Sequence, residues 1–571
     1  MFEQILKTIS RKEWLLVGAI SVILMAVTIF PVLFAYRMAP AGTHYDGLNI
    51  IGEGDYSVYF SYINQVKAGR ILMLDYFTSE PQSGGILNIF WLGVGLWAKI
   101  FNLSAPIAFH FSRMVVIPVF CAIFYIFSSY IFSDKKLRQW SLIFAGLASG
   151  LGGYFALLVK GGLMQGFNWL DFVSPIDLWV TEANVFFSMY LNPHFVMSIA
   201  LMILFFLLLL LAWENNNYKY SLLAGLTGLI WFNFHPYYAP YVLAITAVYL
   251  IYLLARYKKL NPLFHFLIYF IISSVSIAYH FWLIITDYVI GTRAEQNITI
   301  MPPWIYVLLG FGFLLLFSIL GIYFLAQKFK RLPDKFIFLL IWLVVGFNLL
   351  YVPLSFNRRF LEGLEIPMVF LSVLAWVGMI KFFKSHWGLF GRILANKFTV
   401  SILFAILFCF STFFILARDI HFIARQRSTF YLSNEYLQAI NWLEKNNAGQ
   451  AILANQANGH YLPGLINQPV FYGHGHETAD FIAKRKMADD FYGNKYNQAQ
   501  AWEFLTSHNI GYILYSYWEK GTMAINLYDQ PYLEKVFINN QIAIYKVSRE
   551  AGSASGLPRP GFGQDEQSGR K

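Results

Sequence analysis

Runs of roughly twenty apolar residues recur along this chain from Glu13 to Ala417, and that repetition constrains the fold more than any other feature. A helix of about twenty residues crosses ~30 Å of hydrocarbon. Inside a bilayer the backbone must satisfy its own polar groups, so long apolar runs become helices. Charged residues are 13% of the chain, against about a quarter in soluble domains. The expected spans are 13–36, 106–132, 138–159, 194–213, 220–236, 238–256, 262–286, 303–326, 335–354, 362–381 and 398–417. They make about eleven transmembrane helices, and thirteen at most. The segment 86–101 is apolar but short, and reads as a juxtamembrane helix.

The net charge of +11 reflects topology and gives no reason to expect nucleic acid as a partner. Lys and Arg collect in short loops at 135–138, 256–259, 328–331 and 381–397, as cytoplasmic loops do. With the N-terminus also cytoplasmic, an odd number of crossings leaves the C-terminus outside. The first span, too long for a signal-peptide core, reads as an uncleaved anchor. Cys121 and Cys409 fall inside apolar spans, which argues against a structural disulfide.

The loops then left on the outer face carry the unusual side chains. Residues 37–105, the first external loop, hold Asp46, Glu53, Asp55, Asp75 and Glu80. The loop 160–193 holds Asp171, Asp177 and Glu182, with Trp169 and Trp179, and His194 follows it. His235 stands at a sharp break between two spans, where an ionisable group points to function. Arg293, Arg358 and Arg359 also emerge here, against the charge rule, and Lys160 is a weaker candidate of the same kind. The arginines suit phosphate through their planar forks, or equally snorkel to lipid headgroups. Asp55 precedes an amphipathic pattern at Val58, Tyr59, Tyr62, Ile63 and Val66. It reads either as that helix's N-cap or as a reactive carboxylate on a helix lying along the membrane.

Residues 421–548 change character, alternating helical patterns at 433–446, 479–491 and 499–507 with short apolar runs at 451–454, 470–472 and 512–515. Phe537–Val547, centred on Asn539-Asn540, reads as a hairpin. The expectation is a small extracytoplasmic α/β domain. Within it Gly473-His474-Gly475-His476 reads as a Gly-rich turn over the active face, or less readily as a metal site. Residues 549–571 lack core-forming residues and read as a disordered tail or an expression remnant.

An acidic residue in the first external loop, a helix ending in Lys67-Ala68-Gly69-Arg70, then Ser79-Glu80-Pro81 and an aromatic-rich segment to Asn102-Leu103-Ser104, resembles the GT-C superfamily of membrane glycosyltransferases. The resemblance is nearest the protein O-mannosyltransferase and aminoarabinose-transferase-like branches and spans most of 1–420, with Arg113 matching an arginine common at that point. It implies a GT-C-like catalytic module that takes a sugar from a polyprenyl-phosphate carrier on the outer face. The residue matching Asp55 would act as base on the acceptor or orient it, with Glu53 in support. In some members such an acidic-x-acidic pair helps bind a divalent metal and in others none is needed, so the resemblance demands no cofactor and leaves a divalent metal open. The His-Pro-Pro pattern of the mannosyltransferase branch is replaced by Glu80-Pro81-Gln82.

Together these readings describe an inverting glycosyltransferase in the cell membrane of a bacterium or archaeon. Asp55 and Glu53 would be catalytic, and Arg358, Arg359 and Arg293 would hold the lipid phosphate. His235, Glu182, His194, Arg113, Glu80, His474 and His476 would contact substrate. The donor is a polyprenyl-phosphate-linked sugar drawn from membrane lipid, and the acceptor a glycan, lipid or protein. A transporter or flippase of lipid-linked glycans, or a non-catalytic relative that binds lipid-linked sugar, is the alternative.

Overall fold

The computed structural model describes residues 2–48, 53–160, 174–328, 331–425, 430–520 and 525–548. Among these, eight helical stretches are long and apolar enough to cross a membrane: Arg11–Arg37, Ala105–Ile131, Lys135–Val159, Pro193–Asn215, Pro236–Tyr257, Asn261–Thr286, Trp304–Lys328 and Asn357–His386. A ninth is the pair Lys397–Phe408 and Phe410–Ala424, bent by 68°. The runs expected at 220–236 and 335–354 form shorter helices, Tyr218–Phe234 with 17 residues and Asp334–Leu349 with 16. At 1.5 Å per residue these reach about 24–26 Å. The segment 86–101 forms Ile89–Ile100, about 18 Å long and too short to span ~30 Å.

Pro193–Asn215 is the central post, with 83% of its apolar window buried, whereas Asn261–Thr286 has only 22% buried and turns an apolar face outward. That contrast is what a helical bundle in lipid requires, because surface apolar groups there meet hydrocarbon rather than water.

The run 138–159 is not one continuous helix. It breaks between Leu147 and Gly152, where the Trp304–Lys328 helix also kinks, at Gly312 with φ +47°. The freed backbone groups are satisfied by neighbouring elements. Ser149 and Leu151 donate their amides to Phe408 and Leu309 at 2.6 and 2.8 Å. Gly152 donates to Asp177 Oδ2 at 3.1 Å, and Ser411 Oγ donates to the Gly150 carbonyl at 2.9 Å. A side chain at Gly150 would meet the Gly310 carbonyl oxygen at 2.0 Å, so the two backbones touch because neither carries a Cβ. Irregular backbone among membrane helices is tolerated where protein buries it in this way.

Six strands occur among the described residues: β1 Thr43–Tyr45, β2 Tyr431–Ser433, β3 Ala451–Leu453, β4 Ile510–Tyr515, β5 Leu533–Ile538 and β6 Ala543–Val547. The last four form a sheet of order β3-β4-β6-β5, with β3 parallel to β4 and the other pairs antiparallel. The expected hairpin is β5–β6, closed where Asn539 Oδ1 accepts from the amides of Gln541 and Ile542. Val470 makes only an isolated bridge to Ile452 rather than a strand. Helices Asn434–Asn446, Gln456–Leu465, Phe481–Tyr492 and Gln498–Ser507 accompany the sheet.

This C-terminal region is fastened to the first loop at several points. β1 pairs antiparallel with β2, placing Thr43 opposite Ser433. The Gln456–Leu465 helix also packs on Glu53–Lys67: a Cβ on Gly464 would lie 2.9 Å from Ser57 Cα, and Asn64 Nδ2 donates to the Gly464 carbonyl at 3.0 Å. The helix Glu53–Lys67 is therefore enclosed by protein. Tyr56, Ser57, Val58, Phe60, Ser61, Tyr62, Ile63, Gln65 and Val66 are all buried, because a helix above covers the face that would otherwise meet water.

Candidate active site

Asp55 is the third residue of the Glu53–Lys67 helix. It therefore stands inside the first turn rather than at the N-cap, where the helix dipole still favours a negative charge. Its side chain is 52% exposed although protein surrounds it, because it borders a cavity of about 200 Å³. Tyr59 and Tyr62, one and two turns further along, line the same cavity, and Trp91 stacks on Tyr59 with centroids 4.6 Å apart.

Elements far apart in the sequence bring their side chains to this space. His194 enters from the start of Pro193–Asn215, and His235 from the break before Pro236–Tyr257. Their rings meet edge to face at 5.1 Å. Arg293 comes from the short helix Tyr288–Gln296, and Arg358 and Arg359 from the turn Asn357–Leu361. The loop before Phe481–Tyr492 supplies His474, His476 and Glu477. The aspartate and the arginine doublet, 303 and 304 residues apart in sequence order, thus border one cavity.

The cations differ in how they are held. Arg359 Nη1 lies 2.6 Å from Glu182 Oε1. Arg293 Nε lies 2.7 Å from Glu477 Oε2, and its Nη1 donates to the Tyr62 hydroxyl at 2.8 Å. Arg358 has no carboxylate within ion-pair distance among the described residues. Its guanidinium lies 5.4 Å from the Trp179 ring centroid, and its buried Nε has no hydrogen-bond acceptor.

Asp55 Oδ1 faces His474 Nε2 at 3.6 Å. Burial alone would raise the Asp55 pKa, but the His474 contact, with Arg359 and His194, holds it below the usual carboxylate range. Close by, burial and the Glu477 charge push Asp75 up to about 7. Asp75 Oδ1 accepts the Phe77 amide at 2.8 Å, while its Oδ2 is buried without a partner.

No protein-family model matches the sequence, and no curated protein matches it. Solved structures do. The Archaeoglobus fulgidus oligosaccharyltransferase in its apo form superposes with a TM-score of 0.54 at 13% identity, over 89% of this chain and 70% of that one. The archaeal oligosaccharyltransferase AglB from Archaeoglobus fulgidus, in complex with an inhibitory peptide and a dolichol-phosphate, superposes with a TM-score of 0.51 at 13% identity, over 86% and 69%. The fold is that of the GT-C membrane glycosyltransferases.

Within this GT-C fold, several expected contacts lie elsewhere. Glu182 does not border the cavity but stands behind Arg359. Arg113 is fully buried, donates to the backbone carbonyls of Tyr190 and Thr28 and so ties helices together, and it does not line the cavity. Glu80 pairs with Lys484 and accepts from Thr78, which joins the first loop to the C-terminal region away from the cavity. The side chains of Glu53 and Lys160, and all of Asp171, lie outside the described residues.

Among the described residues no three histidine, cysteine or carboxylate side chains come together to hold a metal ion. Asp55 faces an imidazole, with a guanidinium nearby, so its charge is balanced by cationic and N–H groups of the protein. Sequence reasoning passed over Glu362 and Glu477. Glu362 is fully buried, accepts from the Tyr238 hydroxyl and lies 3.9 Å from His235 Nδ1. Its signal was present: an acid at the start of an apolar span carries the same functional weight as His235.

Proposed function

We propose that this protein transfers a sugar from a polyprenyl-phosphate carrier to a hydroxyl of an acceptor, with inversion, on the extracytoplasmic face. The observation that carries this reading is the half-open Asp55 carboxylate sharing a cavity with Arg358 and Arg359. As the acceptor oxygen attacks the anomeric carbon, Asp55 takes its proton. The bond from that carbon to the phosphate oxygen breaks on the opposite side, and the electron pair leaves with the phosphate. Guanidinium donors meet the charge that develops there. Arg358 is the foremost of these because no carboxylate of the described protein claims it, while the charges of Arg359 and Arg293 are partly offset by their carboxylate partners.

The basic loops support the orientation. Lys135, Arg256 and Lys328 stand at helix ends remote in sequence from the cavity-lining turns, as a cytoplasmic face would have them. The acceptor class, whether glycan, lipid or protein, is set by surfaces above the cavity.

The test uses purified protein and lipid-linked sugars extracted from cells that lack the gene. Wild type releases polyprenyl phosphate from that extract when an acceptor fraction is added, and Asp55→Asn does not. Transfer by Asp55→Asn at the wild-type rate would remove the base from the reaction.

A further inference from the structure

His474 is only 5% exposed, and its two ring nitrogens are used differently. Nδ1 accepts the backbone amides of His476 at 3.1 Å and Glu477 at 3.2 Å. An imidazole nitrogen that accepts carries no proton, so the proton must sit on Nε2. Nε2 is the atom that faces Asp55 Oδ1. The ring has little freedom to turn away. It stacks on His460 with centroids 5.0 Å apart and meets Phe77 edge-on at 5.7 Å.

We propose that His474 is a positioning residue for Asp55, donating Nε2–H to one carboxylate oxygen and leaving the other lone pairs for the acceptor hydroxyl. The separation of 3.6 Å is an ion-pair distance, and contacts of this kind shorten when substrate completes the site. This inference rests on the reading of Asp55 as base. It assigns the C-terminal region a part in the reaction itself, through a loop that crosses from the soluble sheet to the membrane helices.

Charged and titratable groups face the pair from several elements. Arg359 and Arg358 act on Asp55 from the Asn357–Leu361 turn, His194 from its span, and Tyr59 from Asp55's own helix. His474 is faced by the carboxylates of Glu477 and Asp75. Burial disfavours an imidazolium at His474 and those carboxylates favour it, while the two amides on Nδ1 oppose a second proton. In either charge state Nε2–H points at Asp55, so the contact does not depend on which prevails.

The experiment follows labelling of Asp55 by a water-soluble carbodiimide with an amine as a function of pH, read by peptide mass spectrometry on the full-length protein in detergent. Carbodiimides react with the protonated carboxyl. His474→Ala should raise the labelling midpoint of Asp55 by about one pH unit or more, the effect of losing a hydrogen-bond donor to a carboxylate. His474→Gln, whose side-chain amide offers an N–H near the place of Nε2–H, should stay near wild type. In the transfer assay the acid limb of the rate profile should move up with His474→Ala and be restored by Gln. An unmoved midpoint in His474→Ala, or a Gln variant displaced as far as Ala, overturns the proposal. Should the Ala variant fail to fold, 15N shifts of labelled histidine in wild type decide: a proton-free Nε2 at His474 overturns it, and a proton-bearing Nε2 supports it. Failure of the base reading is seen separately, as transfer by Asp55→Asn.

Discussion

Glu477 Oε2 sits 2.7 Å from Arg293 Nε, so a guanidinium expected to grip phosphate is instead engaged by a carboxylate from the C-terminal region. The Glu477 side chain is 8% exposed and that of Arg293 25%. Removing one partner of a largely buried pair strands the other charge. Arg293→Met should therefore lower the thermal unfolding midpoint, with a cost of about 1–3 kcal/mol once the partial exposure of Arg293 is allowed for. Restoration of the midpoint in the double variant Arg293→Met, Glu477→Met would confirm that the pair, and not either residue alone, sets the effect.

Arg358 should behave in the opposite way. It has no carboxylate to strand, so Arg358→Met should leave the unfolding midpoint near wild type. A lost charge-assisted bond to phosphate is worth about 1.5–3 kcal/mol, which raises the KM for the lipid-linked donor by about ten- to a hundredfold. Steady-state kinetics with extracted donor measures this, and an unchanged KM would remove Arg358 from the carrier site.

Arg359 combines both roles. Its partner Glu182 is 3% exposed, and Arg359→Met leaves that carboxylate buried and unpaired. Loss of stability and loss of transfer should appear together, whereas Arg359→Met with Glu182→Gln should recover stability without recovering transfer. Calorimetry of the two variants beside a transfer assay separates these effects.

Asp75 makes stability depend on pH. Its folded pKa, about 7, lies above that of an unfolded aspartate. The native state then holds a proton that the unfolded state has released, so stability falls as pH rises from about 4 to about 7 and levels off above. Asp75→Asn removes that dependence while keeping an acceptor for the Phe77 amide. The variant should match wild type near pH 4 and exceed it increasingly up to pH 7, as followed by unfolding midpoints across that range.

Gly464 tests how firmly the reactive helix is clamped. A methyl group there would press on the Ser57 backbone at 2.9 Å, and overpacking of this size costs about 1–3 kcal/mol. Gly464→Ala should lower the unfolding midpoint and reduce transfer, since Ser57 lies two residues from Asp55. Proteolysis within residues 426–455 should quicken in parallel.

Much of the membrane part was legible because apolar length is a local property: each expected run holds helix at its place. The bend at Cys409 and the break at 148–151 were not legible, since the opened backbone is satisfied by Leu309, Asp177 and Ser411 arriving from elsewhere, and Gly310 and Gly312 leave room for the close approach. Asp55 and the arginine doublet stood out as charges where the topology disfavours them. The pairings were not legible, because Glu182–Arg359 and Glu477–Arg293 join segments that no local pattern connects. Glu80 was read as a substrate contact for want of Lys484, whose position above it only the folded chain reveals. The pattern at Val58, Tyr62, Ile63 and Val66 marked a buried face, but the cover over the polar face, where Ser57 and Gln65 are also buried, was not legible, because spacing shows which face is apolar and not what covers the other.

The ribbon formed by β1 and β2 carries a practical lesson for dissecting the protein. Because it lies ahead of the loop bearing His474 and Glu477, a chain shortened to end near residue 425 would still insert every hydrophobic helix into lipid. It would also have an open-roofed chamber, missing one wall and the staple that holds the lid in register. Separately produced halves should regain activity only when they are allowed to dock.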